Sequence, residues 1–191
     1  MSLVLRPATS EDIPALVEVI NSGMTNKVRR GDLAWGDKAL VESDIRPFVE
    51  RGSTYVACLD DHVVGTFVLD WQDTDTWGPQ PPDAGYIQRF AVDSSQRGQS
   101  IGSQMLGLAE TEVVSRGGHF VRLFCPAANP GLRAYYEKQG FTRADAKAKP
   151  RAYQPVVYYE RAVAGHTEAT STAQQTKPLS RFKRFFSHNS E

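Results

Sequence analysis

The sequence has little cysteine, no surplus of charge and no long apolar run, and each shortage closes a class of explanation. Only two cysteines occur in 191 residues, Cys58 and Cys125. They form no Cys-x-x-Cys pair, so neither a zinc ribbon nor a disulfide scaffold is indicated. Each stands in an apolar, strand-like run, as expected of a reduced, cytoplasmic protein. The 22 basic side chains are matched by 22 acidic ones, which removes the broad positive field of a nucleic-acid binder. No apolar stretch approaches the roughly 20 residues of a membrane helix. Residues 1–7 lack the charged-then-apolar pattern of a secretion signal, so a soluble chain is expected. The four histidines are scattered without ligand spacing, and no metal site is expected.

What is present points to one globular domain. Apolar residues make up 40% of the chain, with three Trp, seven Tyr and nine Phe, enough for a sizeable core. Leu3 to Pro7 reads as a strand, and Ser10 as the cap of a helix whose apolar face is Ile13, Leu16, Val17 and Ile20. Residues 23–36 read as a loop. Residues 37–51 read as a weaker helix, kinked or divided at Pro47 because proline lacks the N–H and crowds the preceding turn. A hairpin follows, residues 54–59 and 63–71, with Asp60, Asp61 and His62 as its turn. Residues 72–84 read as a long Asp/Pro/Gly loop, and residues 86–92 as a strand. A helix runs from Ile101 to Arg116 and stops at Gly117 and Gly118. Residues 119–125 form a strand. Asn129 and Pro130 open a last helix, which Gly140 closes before two final strands. The expected order is β-α-α-β-β-β-α-β-α-β-β, a mixed α/β layer fold. From Ala164 onward Thr, Ser, Ala and Gln dominate, and residues 164–191 read as a disordered tail with a basic-aromatic end at 179–186. Residues 1–163 form the domain.

The densest chemistry lies in Gln96-Arg97-Gly98-Gln99-Ser100-Ile101-Gly102-Ser103, where a strand ends, a Gly-bearing turn follows and a helix begins. The unpaired N–H groups of a helix's first turn, together with its dipole, attract an anion. The Gly-Lys-Ser/Thr of a P-loop is missing, as is the Gly-x-Gly-x-x-Gly of a dinucleotide fold. The segment instead resembles the Arg/Gln-x-x-Gly-x-Gly/Ala signature of the GNAT superfamily of acetyl-CoA-dependent N-acetyltransferases. Arg97, Ile101 and Gly102 fit it, and Ser100 stands where the family usually has Gly. A second stretch, Asn129-Pro-Gly-Leu-Arg-Ala-Tyr135-Tyr136-Glu-Lys-Gln-Gly140-Phe141, resembles the late segment of the same family. The two stretches come in family order with a strand between them.

The resemblance covers roughly residues 3–162 and implies a GNAT-like, mostly antiparallel central sheet flanked by helices. It implies acetyl-CoA as co-substrate, held by Phe90, Ala91, Val92, Arg97, Gly98, Gln99, Ser100, Ile101, Gly102, Ser103, Asn129 and Tyr136. It also implies direct attack of a primary amine on the thioester in a ternary complex. Backbone N–H groups near Phe90 to Val92 would stabilise the developing oxyanion, and Tyr136 would protonate the departing thiolate. Many members carry a Glu on the strand that here contains Gln88. A glutamine cannot accept a proton at neutral pH, but it can orient a water. Asp70, Asp73, Asp75 and Asp83 lie on or near the preceding hairpin and loop, and Asp73, Asp75 and Asp83 with Trp77 suggest a cationic amine, of a small molecule or a peptide, as acceptor. A homodimer is compatible with the pattern, and residues 179–186 are a candidate for membrane or protein docking. A non-catalytic acyl-CoA-binding module, or an interaction protein acting through its tail, is the alternative.

Overall fold

In the computed structural model, residues 3–28, 39–145 and 155–163 are described. Seven strands form one sheet: β1 (Leu3–Pro7), β2 (Thr54–Leu59), β3 (His62–Asp70), β4 (Ala84–Val92), β5 (Phe120–Pro126), β6 (Thr142–Arg143) and β7 (Val156–Ala162), in spatial order β1-β2-β3-β4-β5-β7-β6. All neighbours are antiparallel except β4 and β5. The helices are α1 (Ile13–Val28), α2 (Glu42–Glu50), the single turn α3 (Thr74–Trp77), α4 (Ile101–Ser115) and α5 (Pro130–Lys138). Apart from α3, this is the order the sequence implies.

The sheet is covered on both faces because its strands alternate apolar residues to each side. On one face Tyr55, Phe67, Leu69 and Ile87 pack with Met105, Leu106, Ala109 and Val113 of α4 and Tyr136 of α5. On the other, Val56, Cys58 and Ala91 pack with Ile13, Leu16 and Ile20 of α1 and Ile45 and Val49 of α2. Arg122 of β5 is buried where β4, β5 and β7 meet. Its guanidinium donates to Glu160 at 2.5 Å, Asp83 at 3.3 Å and the Tyr86 hydroxyl at 3.0 Å.

Several local expectations change. Helix α1 continues to Val28, through the start of the segment read as loop, and residues 29–36 lie outside the described residues. The first cap is Thr9, not Ser10: the carboxylate of Asp12 accepts the Thr9 N–H at 2.7 Å. Helix α2 begins at Glu42 and carries Pro47 without dividing. Proline removes one hydrogen bond, and the buried Ile45 and Val49 on either side of it hold the helix on α1 and the sheet. Residues 72–84 contain α3, capped by Asp73, whose Oδ1 accepts the Thr76 N–H at 3.1 Å. The hairpin turn is Asp60 and Asp61 alone, both left-handed at φ 50° and 64°, the geometry that a two-residue turn between twisted strands requires. The tail, with the candidate docking segment 179–186, lies outside the described residues.

Candidate active site

Strands β4 and β5 pair only at their first three residues, Ala84, Gly85 and Tyr86 against Phe120, Val121 and Arg122. Beyond Tyr86 they part. The rest of β4 is bonded to β3 alone and the rest of β5 to β7 alone, so a wedge opens in the middle of the sheet. Its cause lies in β4. Thr66 faces Ala91 and Val68 faces Gln88, so Phe67 stands opposite two residues, Arg89 and Phe90. Arg89 is the extra residue, held at φ 51°. A bulge of this kind bends and twists its strand, and here it turns β4 away from β5. Arg122 clasps the closed end.

The open end of the wedge meets the candidate anion turn. After β4, Asp93 accepts the Ser95 N–H at 2.9 Å and the chain makes a short 3-10 turn over Ser94–Gln96. Gly98 at φ 83° and Ser100 at φ 58° then reverse the chain into α4. Ser100 is the N-cap, and its side chain makes no cap bond. The first intrahelical bond runs from the Gln104 N–H to the Ser100 carbonyl at 3.1 Å. The N–H groups of Ile101, Gly102 and Ser103 therefore precede it and point out of the helix end. Arg97, Gly98, Gln99 and Ser100 are exposed around them. A side chain at position 102 would fill this cradle: a Cβ there would stand 2.7 Å from the Tyr135 hydroxyl and 3.7 Å from the Phe90 ring. Strand β4, the start of α4 and the middle of α5 thus converge on Gly102.

The adjacent tyrosines of α5 do different things. Tyr136 points inward and is 5% exposed. Its ring packs edge-on against Tyr135 and Phe141, with centroids 5.4 Å and 5.8 Å away, and it lies tilted on Tyr159. Burial, reinforced by the neighbouring Cys125 thiol and Tyr135, pushes its pKa well above the usual phenol range. Tyr136 therefore stays protonated at any physiological pH. Tyr135 is half-buried beside Gly102. Burial raises its pKa, while a hydrogen bond with Ser103 and the charge of Arg161 oppose the rise. That two neighbouring helical residues cannot both face inward is the signal that one of them looks elsewhere. Asn129 caps α5, its Oδ1 accepting the Leu132 N–H at 3.0 Å.

On the other side of the bulge, the Gln88 Nε2 donates to Asp73 Oδ2 at 3.1 Å. Of the remaining loop acids, Asp83 is paired with Arg122 at 3.3 Å and Asp70 with Arg51 at 2.6 Å. Asp75 is exposed on α3. Trp77 is buried against Tyr86 and Tyr158, so it cannot present an aromatic face to an acceptor. The acidic-aromatic cluster that the sequence suggested is therefore largely used up within the fold. A shallow cavity of about 150 Å³ between Trp71, Asp73, Gly78, Pro82 and Tyr86 is what remains there. Cys125 is buried. Among the described residues no group of acidic, His and Cys side chains is arranged to hold a metal ion, and no helix is long and apolar enough to cross a membrane.

Comparison with known proteins gives a consistent result. The model of the acetyltransferase (GNAT) family matches residues 25–141. The uncharacterised N-acetyltransferase YesJ of Bacillus subtilis is 26% identical over 150 residues, covering 74% of this chain and 83% of that protein. Among solved structures, a GNAT-family acetyltransferase from Listeria monocytogenes has a TM-score of 0.68 at 21% identity, covering 84% of this chain and 94% of its own. The paiA N-acetyltransferase of Thermoplasma acidophilum, solved in complex with coenzyme A, has a TM-score of 0.65 at 18% identity, covering 85% and 99%.

Proposed function

Because this chain belongs to the acetyltransferase (GNAT) family, we propose that it is an N-acetyltransferase that moves an acetyl group from acetyl-CoA to a primary amine, the two bound together. The carrying observation is that β4 parts from β5 directly beside the open N-terminus of α4. Such a wedge accepts a long, thin ligand end-on, and the helix terminus receives its charged end.

Bound acetyl-CoA supplies an acyl thioester ready for transfer. The N–H groups of Ile101, Gly102 and Ser103 hold its pyrophosphate, with Arg97, Gly98, Gln99 and Ser100 around it. The β4 backbone at Phe90, Ala91 and Val92, freed from β5, bonds the extended arm as a missing strand would and supplies the N–H for the carbonyl oxygen. Asn129 fixes the start of α5 and so the direction of both tyrosines. Tyr136 gives its proton to the departing sulfur. Its raised pKa keeps that proton in place until negative charge develops beside it. Gln88, tethered to Asp73, orients the amine or a water by hydrogen bonding and removes no proton. Asp73 is the carboxylate nearest in the bonding chain to take the amine's proton through water.

Calorimetric titration of coenzyme A and acetyl-CoA into wild type and Arg97→Glu tests the reading. Arg97 is exposed, so reversing its charge leaves the fold intact. It should weaken binding by about ten- to a hundredfold, the loss of one phosphate contact worth roughly 1–3 kcal/mol. No binding by folded wild type rejects the proposal. Binding without amine-dependent release of the thiol from any amine replaces it with a non-catalytic acyl-CoA-binding module.

A further inference from the structure

The bulge that opens the wedge also changes where Arg89 points. Ile87, Phe90 and Val92 face α4, whereas Ala91 faces α1 and α2. Without the extra residue, position 89 would share the α4 face with Ile87. With it, the Arg89 side chain emerges on the α2 face, and its guanidinium lies 4.4 Å over the ring of Phe48. The guanidinium of Arg51 lies 4.4 Å over the same ring. Two cations thus share one aromatic ring at the side of β4 opposite the α4 helix.

Their partners differ. Arg51 is neutralised by Asp70 at 2.6 Å. Arg89 stacks on Phe48 and has no carboxylate or carbonyl acceptor among the described residues. Burial lowers its pKa, with the charge of Asp44 opposing that and Arg51 adding to it. A guanidinium still stays protonated. The chain therefore holds a half-buried fixed cation, on a strained left-handed backbone, next to Gln88 and Phe90. Strain and a guanidinium without a hydrogen-bond acceptor among the described residues, kept together at one point of a site, call for something that is not part of the chain. A planar guanidinium fork matches the two oxygens of a planar carboxylate bidentately.

We propose that Arg89, seated on Phe48 beside Arg51, binds a carboxylate of the acceptor, so that the acetylated substrate is an amine that carries a carboxylate, such as an amino acid, and not a simple alkylamine or polyamine. This rests on the acetyltransferase reading above. It replaces the acidic loop as the recognition element, since Asp83 is already paired with Arg122, Asp73 is bonded to Gln88 and Trp77 is buried.

The test is acetyl-CoA-dependent thiol release over matched amines: the common α-, β- and γ-amino acids as free acids, the same compounds as carboxamides, and spermidine. Each is measured with wild type, Arg89→Gln and Arg89→Lys, with coenzyme A affinity and melting temperature recorded for all three. At least one free acid should turn over with kcat/KM more than tenfold above its carboxamide. Arg89→Gln should erase that preference by raising KM for the acid at least tenfold. It should leave coenzyme A affinity unchanged and the protein folded, and lower the carboxamide rate far less than the acid rate, and Arg89→Lys should recover part of the loss. Equal rates for acid and carboxamide, preference for spermidine, or an unchanged KM in Arg89→Gln would overturn the inference. So would coenzyme A binding without turnover of any free acid. Absence of coenzyme A binding in wild type overturns the acetyltransferase reading itself, and the inference with it.

Discussion

Replacing Ser100 by Gly should stabilise the protein, although it removes a side chain at a helix N-cap, where serine is ordinarily favoured. Ser100 sits at φ 58° and ψ 17°, and its hydroxyl makes no cap bond. The residue is exposed, so no packing is lost. An L-residue pays roughly 1–2 kcal/mol for the left-handed conformation. Glycine avoids that cost but gives back roughly 0.4–1 kcal/mol through its freer unfolded chain. The net gain is about 0.5 kcal/mol, or about 1–2 °C in Tm for a domain of this size. Gly98 supplies the converse. It stands at φ 83° with no heavy atom within 4 Å of a would-be Cβ, so Gly98→Ala changes backbone strain alone and should lower stability by about the same amount. Ser100→Ala, which keeps the strain and loses only the hydroxyl, should stay within about 0.5 kcal/mol of wild type. Scanning calorimetry or urea titration of the three variants at one protein concentration reads all of this. A lower Tm for Ser100→Gly, or shifts of Ser100→Gly and Gly98→Ala in the same direction, would show that strain at this turn is not what sets its stability.

Other consequences are measured separately. Tyr136→Phe should lower kcat by about a hundredfold, the lower range for loss of a general acid, while coenzyme A affinity in calorimetry stays the same. Because the Tyr136 pKa is raised, the wild-type rate should show no fall attributable to this group between pH 8 and about 10, the usual phenol value. Arg122→Leu strands Glu160 and Asp83 beside a buried site and should cost about 3 kcal/mol, read as a Tm about 6–12 °C lower. Asp12 is held down to about pH 2 by its hydrogen bond with Arg6, with burial opposing and the Thr9 N–H and hydroxyl assisting. A lowered carboxylate stabilises above its unfolded pKa and loses that contribution as pH falls through the folded value. Arg6→Gln should therefore cost about 1 kcal/mol at pH 7, a figure discounted for the partly exposed Arg6, and the difference from wild type should fade between about pH 4 and pH 2 in urea titrations.

Strands, helices and the anion turn were legible because each leaves a local trace. The period of Ile13, Leu16 and Ile20 marks the buried face of α1. Asn129 followed by Pro130 marks the start of α5, and Gly117 at φ 73° marks the end of α4. Boundaries failed where tertiary contacts override propensity. Pro47 stays inside α2 because Ile45 and Val49 are anchored on the sheet. Nor did acidic loop residues disclose their partners. Asp83 looks available in sequence, yet Arg122 lies 39 positions away and occupies it.

The bulge in β4 is the feature least legible in sequence and the one on which the site depends most. No Gly, Pro or Asn marks it: the segment reads Gln88-Arg89-Phe90, with an arginine in the left-handed conformation that an L-residue usually avoids. Its signature is a break in parity. Ile87 and Phe90 face the same helix although they stand an odd number of positions apart, which an unbroken strand forbids. One inserted residue thereby does two things. It bends β4 out of reach of β5, exposing the backbone that the extended arm of the co-substrate would pair with. It also turns one cation to the opposite face, over Phe48 of α2. A deletion of Arg89 would restore the alternation, close the wedge and withdraw the cation at once. If the proposed roles hold, both halves of a two-substrate site are tied to the same backbone irregularity, and the arginine at φ 51° does work that a glycine, at lower conformational cost, would not.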